Sequence, residues 1–322
     1  MTRVSVIVPT YNRKDAVSET IETVFQQSYR DFELIIADDG STDGTAMYLF
    51  ERLQAQPEAI EILARMGPTS IKPFSHAFCC QGTTVQYHYG VNRGLSTARN
   101  RAIRAARGEY LCFLEPDDAW QSEHLATQMS FFEKRPEARV ARVSELWIKD
   151  GRPRPIKDLG RDAESIFEHT LAACPLSVSA ATFHRCCFTQ CGVFDENLPS
   201  CEEYDFWLRV AARFPVHYVP GTSLSRRTNK APVSAARTWS RDRFRVYALE
   251  KAFQGGNLSA EQRFLVAEQI VHKCERLVEG FRRQKSEERS SFYERKRKRF
   301  ALEVRKLKAS RAAAEAVQAS RA

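Results

Sequence analysis

No glycine-rich phosphate loop occurs in this 322-residue chain: neither G-x-G-x-x-G nor G-x-x-x-x-G-K-[ST] is present. That absence excludes a phosphate cradle of backbone N–H groups at a helix N-terminus as the way a nucleotide is held. No apolar run is long enough to span a bilayer, and Met1-Thr2-Arg3 passes into a strand with no apolar leader, so the expected compartment is the cytoplasm. The nine cysteines form no even framework and no zinc-like spacing, which favours unpaired thiols in a reducing compartment, and none is given a role. The first 280 residues also lack net charge. From Phe281 to Ala322 there are 14 Lys/Arg and 5 Asp/Glu, which carry the whole excess of +9. A neutral body argues against a nucleic-acid-binding face, so no nucleic acid is expected as a partner, and any anionic surface is left to the basic arm.

What is present begins with Val4-Ser5-Val6-Ile7-Val8-Pro9-Thr10-Tyr11-Asn12-Arg13 and continues with Leu34-Ile35-Ile36-Ala37, which stops at Asp38-Asp39-Gly40-Ser41-Thr42-Asp43. Near-continuous Val/Ile runs of this kind fit parallel strands covered on both faces, and such sheets bind ligands beyond the carboxyl ends of their strands. Between the runs, Val17, Ile21, Val24 and Phe25 recur at helical spacing, so the opening reads strand, helix, strand. Val85 to Tyr89 reads as a further strand. Arg93 to Arg107 reads as a helix closed by Gly108, and Tyr110 to Leu114 as a strand released at Glu115-Pro116-Asp117-Asp118. Acidic loops therefore gather on one rim. A carboxylate can accept the N–H of a base, and other carboxylates can hold a divalent cation against a diphosphate.

The rest of the chain is less regular. Arg52 to Gly90, with Pro57, Pro68 and Pro73, reads as an insertion that is mostly surface loop, and Lys149 to Arg161 as a turn-rich linker. Cys201-Glu202-Glu203-Tyr204-Asp205-Phe206-Trp207 opens a helix stopped by Pro215. Ser259 to Gln262 fits a capping box ahead of a helix whose apolar stripe runs through Val266, Ile270, Cys274, Leu277 and Phe281. Past that stripe, the run Arg295 to Arg299 is expected to project into solvent.

VSVIVPTYNR, DFELIIADDGSTDGT, Asn92-Arg93-Gly94-Leu95-Ser96-Thr97-Ala98-Arg99-Asn100 and Gly108-Glu109-Tyr110-Leu111-Cys112-Phe113-Leu114-Glu115-Pro116-Asp117-Asp118 stand in an order and spacing that resembles a family 2 glycosyltransferase. The resemblance implies an α/β fold of GT-A type: a Rossmann-like, mostly parallel sheet with flanking helices, here followed by a C-terminal helical extension. The expected division is a catalytic domain over 1–230, with 1–118 binding the donor and 119–230 the acceptor, and a helical extension with a basic tail over 231–322. The implied activity is transfer of a sugar, with inversion, from a nucleotide-diphospho-sugar, in first place a UDP-sugar, aided by Mg²⁺ or Mn²⁺. The acceptor would be a glycan, a lipid-linked or a protein hydroxyl in bacterial surface glycan synthesis.

The same resemblance assigns residues. Asp39, the second aspartate of its pair, would accept the uracil N3–H, with Asp38 beside it, Tyr11 stacked on the ring, and Pro9, Thr10 and Asn12 bordering it. Asp117 and Glu115 occupy the metal-binding signature, Glu115 standing where aspartate is usual and within reach of the ribose. Arg99 is a candidate partner for the diphosphate. Glu203 falls at the position of the catalytic base, again in place of aspartate, with Glu202 and Asp205 as its neighbours. Cys174 to Ser179 and Ser225 to Asn229 are candidate acceptor walls. The competing reading is a catalytically silent member that binds nucleotide-sugar or a partner, and the basic tail is a candidate for peripheral contact with the anionic inner membrane face.

Overall fold

The computed structural model describes residues 2–53, 73–149, 152–155, 166–172, 176–227 and 239–319. The chain forms two compact units, one from Met1–Glu164, Leu176–Asn197 and Pro215–Lys230, the other from Ser165–Pro175, Leu198–Phe214 and Ala231–Ala322.

The first unit is built on one ten-stranded sheet. Its strands are β1 (Val4–Thr10), β2 (Phe32–Asp38), β3 (Phe74–Cys80), β4 (Thr83–Tyr89), β5 (Tyr110–Phe113), β6 (Asp118–Trp120), β7 (Val140–Lys149), β8 (Arg152–Pro155), β9 (Ala181–His184) and β10 (Val216–Arg227). The order is β3-β4-β2-β1-β5-β9-β7-β10-β6, with β8 paired to β7. β4, β2, β1 and β5 are mutually parallel. Every residue of β1 and β2 is buried, as expected of parallel strands covered on both faces. The first unit's helices are α1 (Lys14–Phe25), α2 (Thr45–Arg52), α3 (Leu95–Ala105), α4 (His124–Lys134) and the short α6 (Cys186–Cys191). α1 places Val17, Ile21, Val24 and Phe25 in a core shared with Val6, Val8, Leu34 and Ile36.

Beneath the opening strands lies a buried carboxylate. Glu33 accepts bonds from the Ser5 hydroxyl (2.8 Å), the Gln86 amide (2.8 Å) and the Arg107 N–H (2.7 Å), which staples β1, β4 and the turn before β5 to β2. At that turn a Cβ on Gly108 would sit 2.5 Å from the Ser5 nitrogen, so only glycine fits the crossing.

Two expectations are corrected. The region read as loop before Val85 contains β3, an edge strand antiparallel to β4, while 54–72 of that insertion lie outside the described residues. The stretch read as a linker carries β8, which continues β7 as an antiparallel pair, Trp147 opposite Arg154 and Ile148 opposite Pro153. Two prolines in a four-residue edge strand masked its pairing, because proline cannot donate to a ladder.

The second unit is helical: α5 (Ile166–Ala172), α7 (Glu202–Ala211), α8 (Asp242–Gln254), α9 (Ala260–Arg283) and α10 (Glu287–Ala319). The Ser259–Gln262 capping box is present at the start of α9. The arm does not stand free. Phe300 is buried, and Tyr293, Val304 and Leu307 pack with it on a core that contains Ile270, Cys274 and Leu277. Lys296 and Arg299 pair with Glu250, and Arg297 with Glu294 and Glu275.

Candidate functional site

The strands meant to carry the site end on one edge of the first unit. β1 hands its chain to Tyr11, which is 46% exposed, and to Asn12, whose backbone is left-handed (φ 49°). The Asn12 N–H donates to Ser41 Oγ (2.9 Å), and its Oδ1 accepts the Thr42 N–H (2.7 Å). The Asp39 N–H donates to the Thr10 carbonyl (2.9 Å), so the β1 and β2 loops are tied at three points. Pro9 and Thr10 are buried beneath them.

Asp38 is fully buried. One of its oxygens accepts the Ser41 N–H (2.7 Å) and the other accepts the Tyr87 hydroxyl. Burial pushes its carboxyl above the ordinary range, against the pull of those bonds, and burial raises the Tyr87 phenol as well. Asp39 is the N-terminal clamp of α3: its two oxygens accept the N–H groups of Arg93 (3.0 Å) and Gly94 (2.8 Å). A carboxylate accepts about four hydrogen bonds, so each oxygen keeps a lone pair. Asp43 caps α2 through the Thr45 N–H (3.1 Å). Gly40 is left-handed (φ 86°), and a Cβ there would meet the Asn92 nitrogen at 2.8 Å.

The third loop, after β5, has a different chemistry. Glu115 pairs with Arg99, and its N–H donates to Ser179 Oγ (3.1 Å). Arg99 has none of its side chain exposed and lies 4.9 Å from the Phe194 ring centre. It is therefore an enclosed arginine rather than an exposed helical one, and its charge faces Glu115. Asp117 is left-handed (φ 80°), a region that aspartate tolerates better than most residues. Its carbonyl accepts the Arg227 N–H (3.0 Å), and its side chain, 36% exposed, is paired with Arg13 at 3.1 Å. Asp118 is buried against Arg226 (3.4 Å), which also reaches Glu145 (3.4 Å). Burial pushes the Asp118 carboxyl up to about 7 despite that cation.

Among the described residues no three His, Cys, Asp or Glu side chains gather into a metal-binding group. A Mg²⁺ or Mn²⁺ ion that also takes substrate phosphates needs only one or two carboxylates. The exposed Asp117 fits that requirement. Glu115, engaged by Arg99, fits it less well.

In the second unit, Glu202, Glu203 and Asp205 stand in the first turn of α7, where acidic side chains complement the helix dipole. Asp205 is buried and held by Arg209 and Lys251, each at 2.7 Å, so it anchors the helix. Glu202 and Glu203 are partly exposed.

The roles of Tyr87, Arg13, Arg226 and Ser179 are not legible in the sequence: Tyr87 donates to Asp38, Arg13 and Arg226 pair with Asp117 and Asp118, and Ser179 accepts the Glu115 N–H. Arg13 lies inside a motif, and Ser179 and Arg226 fall in the candidate acceptor walls. Tyr87 and Arg226 reach the site through strand register.

The chain can be compared with known proteins on this footing. The family described as "Glycosyl transferase family 2" matches residues 5–66 and 81–189. The UDP-Glc:alpha-D-GlcNAc-diphosphoundecaprenol beta-1,3-glucosyltransferase WfaP of Escherichia coli is 30% identical over 133 residues, 41% of this chain and 42% of that protein. The chain spans about a quarter to a third of the length of its longer relatives. Among solved structures, Staphylococcus aureus TarS 1–349 in complex with UDP-GlcNAc superposes with a TM-score of 0.57 at 16% identity, over 92% of each chain. The mannosyltransferase PcManGT of Pyrobaculum calidifontis, in complex with GDP-Man and Mn²⁺, gives 0.51 at 16% identity over 93% of this chain and 85% of that one. These likenesses bear out the GT-A type fold. No described helix is long and apolar enough to cross a membrane. With more than half of its length matched and its four sequence blocks set on that fold, the chain belongs to glycosyl transferase family 2.

Proposed function

We propose that this protein transfers a sugar from a UDP-sugar to an acceptor hydroxyl with inversion. The observation that carries the reading is the pairing of an exposed Tyr11 with a backbone-clamped Asp39 at the carboxyl edge of parallel strands. Tyr11 offers a ring face to a base, and Asp39, fixed by two N–H groups, keeps lone pairs for the uracil N3–H. Pro9, Thr10 and Asn12 border that slot, and Asp38 holds the turn that shapes it. Asp117 would hold a Mg²⁺ or Mn²⁺ ion, which when bound offsets the negative charge that builds on the departing diphosphate. Glu203 takes the acceptor proton, with Glu202 beside it. Support for the donor and metal comes from TarS and PcManGT, solved with UDP-GlcNAc and with GDP-Man and Mn²⁺ respectively. Support for a lipid-linked saccharide acceptor comes from the name of WfaP.

The outward face of α10 carries Phe292, Arg295, Lys298, Leu302 and Arg305, a cationic helix face with two exposed apolar side chains. It suits peripheral contact with an anionic membrane on the cytoplasmic side, where a lipid-linked acceptor would be met. A second reading, a silent nucleotide-sugar binder, is favoured by one observation: both Glu115 and Asp117 are already paired with arginines.

Slow release of UDP from UDP-sugars in Mn²⁺, with and without a chelator, separates the two. Chelator-sensitive release supports the enzyme, and tight UDP binding with no release supports the binder. Glu203→Gln is expected to lower transfer by about two orders of magnitude while leaving UDP affinity within about twofold, because the amide keeps the shape and cannot take a proton. Undiminished transfer by that variant moves the base to Glu202.

A further inference from the structure

Trp147 is the most exposed of the four tryptophans, at 40%, whereas Trp120 and Trp207 are buried. A large apolar side chain held open on a strand calls for an explanation. Its place in the sheet supplies one. β1 is parallel to β5, β9 is antiparallel to both β5 and β7, and β7 is parallel to β10. β7 and β10 therefore end on the same edge as β1 and β2. Trp147 lies near the end of β7 directly opposite Arg226 of β10, and Arg226 lies opposite Asp118 of β6. Directly opposed residues share a face of a sheet, so indole, guanidinium and carboxylate form one row across three strands.

The row is rigid. Arg226 is pinned by Asp118 and Glu145 and sits 5.5 Å from the Trp147 ring centre, in the range of a cation–π contact. Among the described residues the indole N–H of Trp147 makes no hydrogen bond.

We propose that Trp147 is the platform for the acceptor saccharide, its ring covered by the C–H face of a pyranose and its N–H directed to a hydroxyl. The inference rests on the donor reading given above. The spacing along the rim supports it. From β1 to β7 there are three strand steps, about 14 Å at the usual separation, with β5 and its acidic loop between them. A base at Tyr11 and a diphosphate at Asp117 thus point the transferred sugar toward β7. The negative π-face of an indole suits the weakly positive C–H face of a sugar, and its edge N–H adds direction. A nucleobase would suit the ring as well, but the base already has Tyr11 and Asp39.

The full-length protein can be labelled with 5-fluorotryptophan and its four fluorine resonances followed, with Trp147→Phe assigning the one of interest. UDP is added first, then the methyl β-glycosides of N-acetylglucosamine, glucose, galactose and mannose. UDP is expected to leave the Trp147 resonance in place and at least one glycoside to move it saturably. With that glycoside as acceptor, Trp147→Ala is expected to raise KM about tenfold and Trp147→Phe about threefold or less, with UDP affinity unchanged in both. Movement of the resonance by UDP alone, or by none of the glycosides, overturns the platform. Absence of UDP binding to the unaltered protein overturns the donor reading instead.

Discussion

The loops after β2 and β5 are both acidic and stand two strands apart on one edge, yet they hold their carboxylates in opposite ways. In the β2 loop, Asp38 and Asp39 are gripped by neutral donors: backbone N–H groups and the Tyr87 hydroxyl. In the β5 loop, Glu115, Asp117 and Asp118 are each paired with an arginine. Neutral donors fix direction and leave the charge in place, which suits recognition of an N–H in a base. Arginines cancel charge, so a cation arriving at the β5 loop has to compete with one already there. Asp117 is the member whose pair is exposed and weak, which makes it the one able to change partners.

The largest expected effect lies in the β5 loop. Asp117→Ala should lower Mn²⁺-dependent donor turnover by about a hundredfold or more, with a melting temperature within about 2 °C of the parent, because a half-exposed loop carboxylate adds little to the core. Wild-type turnover in that variant would remove the metal assignment. Next comes Asp39→Ala. It strands two N–H groups at the start of α3, so calorimetry should record UDP affinity reduced about tenfold, and denaturation a loss of about 2–4 kcal/mol. A variant that melts normally and binds UDP normally would erase the difference between the loops.

Arg13→Ala sharpens the contrast in the other direction. Freeing Asp117 from an exposed ion pair should tighten Mn²⁺ binding about two- to fivefold, measured by displacement of a fluorescent chelator. Unchanged affinity would mean that the arginine does not compete with the ion. The smallest effect is set behind the loop. His124 is buried, stacks on Trp120 at 4.4 Å, and burial lowers its pKa to about 3. Trp120 in turn donates to the carbonyl of Ser179, whose hydroxyl accepts the Glu115 N–H. A folded-state pKa below the ordinary 6.5 means that stability is intact above that pH and is lost as pH falls toward 3, by about 1.4 kcal/mol per unit from this residue. His124→Phe keeps the stack without the titration and should move the acid-unfolding midpoint to lower pH. An unmoved midpoint would remove His124 from the account.

The parallel half of the sheet was legible because its strands are continuous apolar runs that end in turn residues, a pattern set by local chemistry. Val4–Thr10 and Phe32–Asp38 need no distant information to be read. The partners of the site carboxylates were not legible for the converse reason. Arg99 looks like any exposed helical cation until Phe194 and Glu115 enclose it, and Arg226 meets Asp118 only through the register of β10 on β6. The docking of α10 is not legible because its few inward apolar residues, Tyr293, Phe300, Val304 and Leu307, are set among many cations, so composition alone reads the segment as polar. Asp39 reads as a ligand group from the sequence, and the structure adds its grip on the start of α3, which depends on where Arg93 and Gly94 fold.

The join between the β5 loop and β10 has a bearing on biogenesis. All four sequence blocks have been synthesised once residue 118 is made, but the Asp117 carbonyl and the Asp118 side chain are held by Arg227 and Arg226, more than a hundred residues later. A nascent chain therefore carries all four blocks well before its acidic loop can take shape, since closing so long a loop awaits the last strand. Premature termination anywhere between those points would release a product that carries all four blocks and lacks the frame for its own acidic loop.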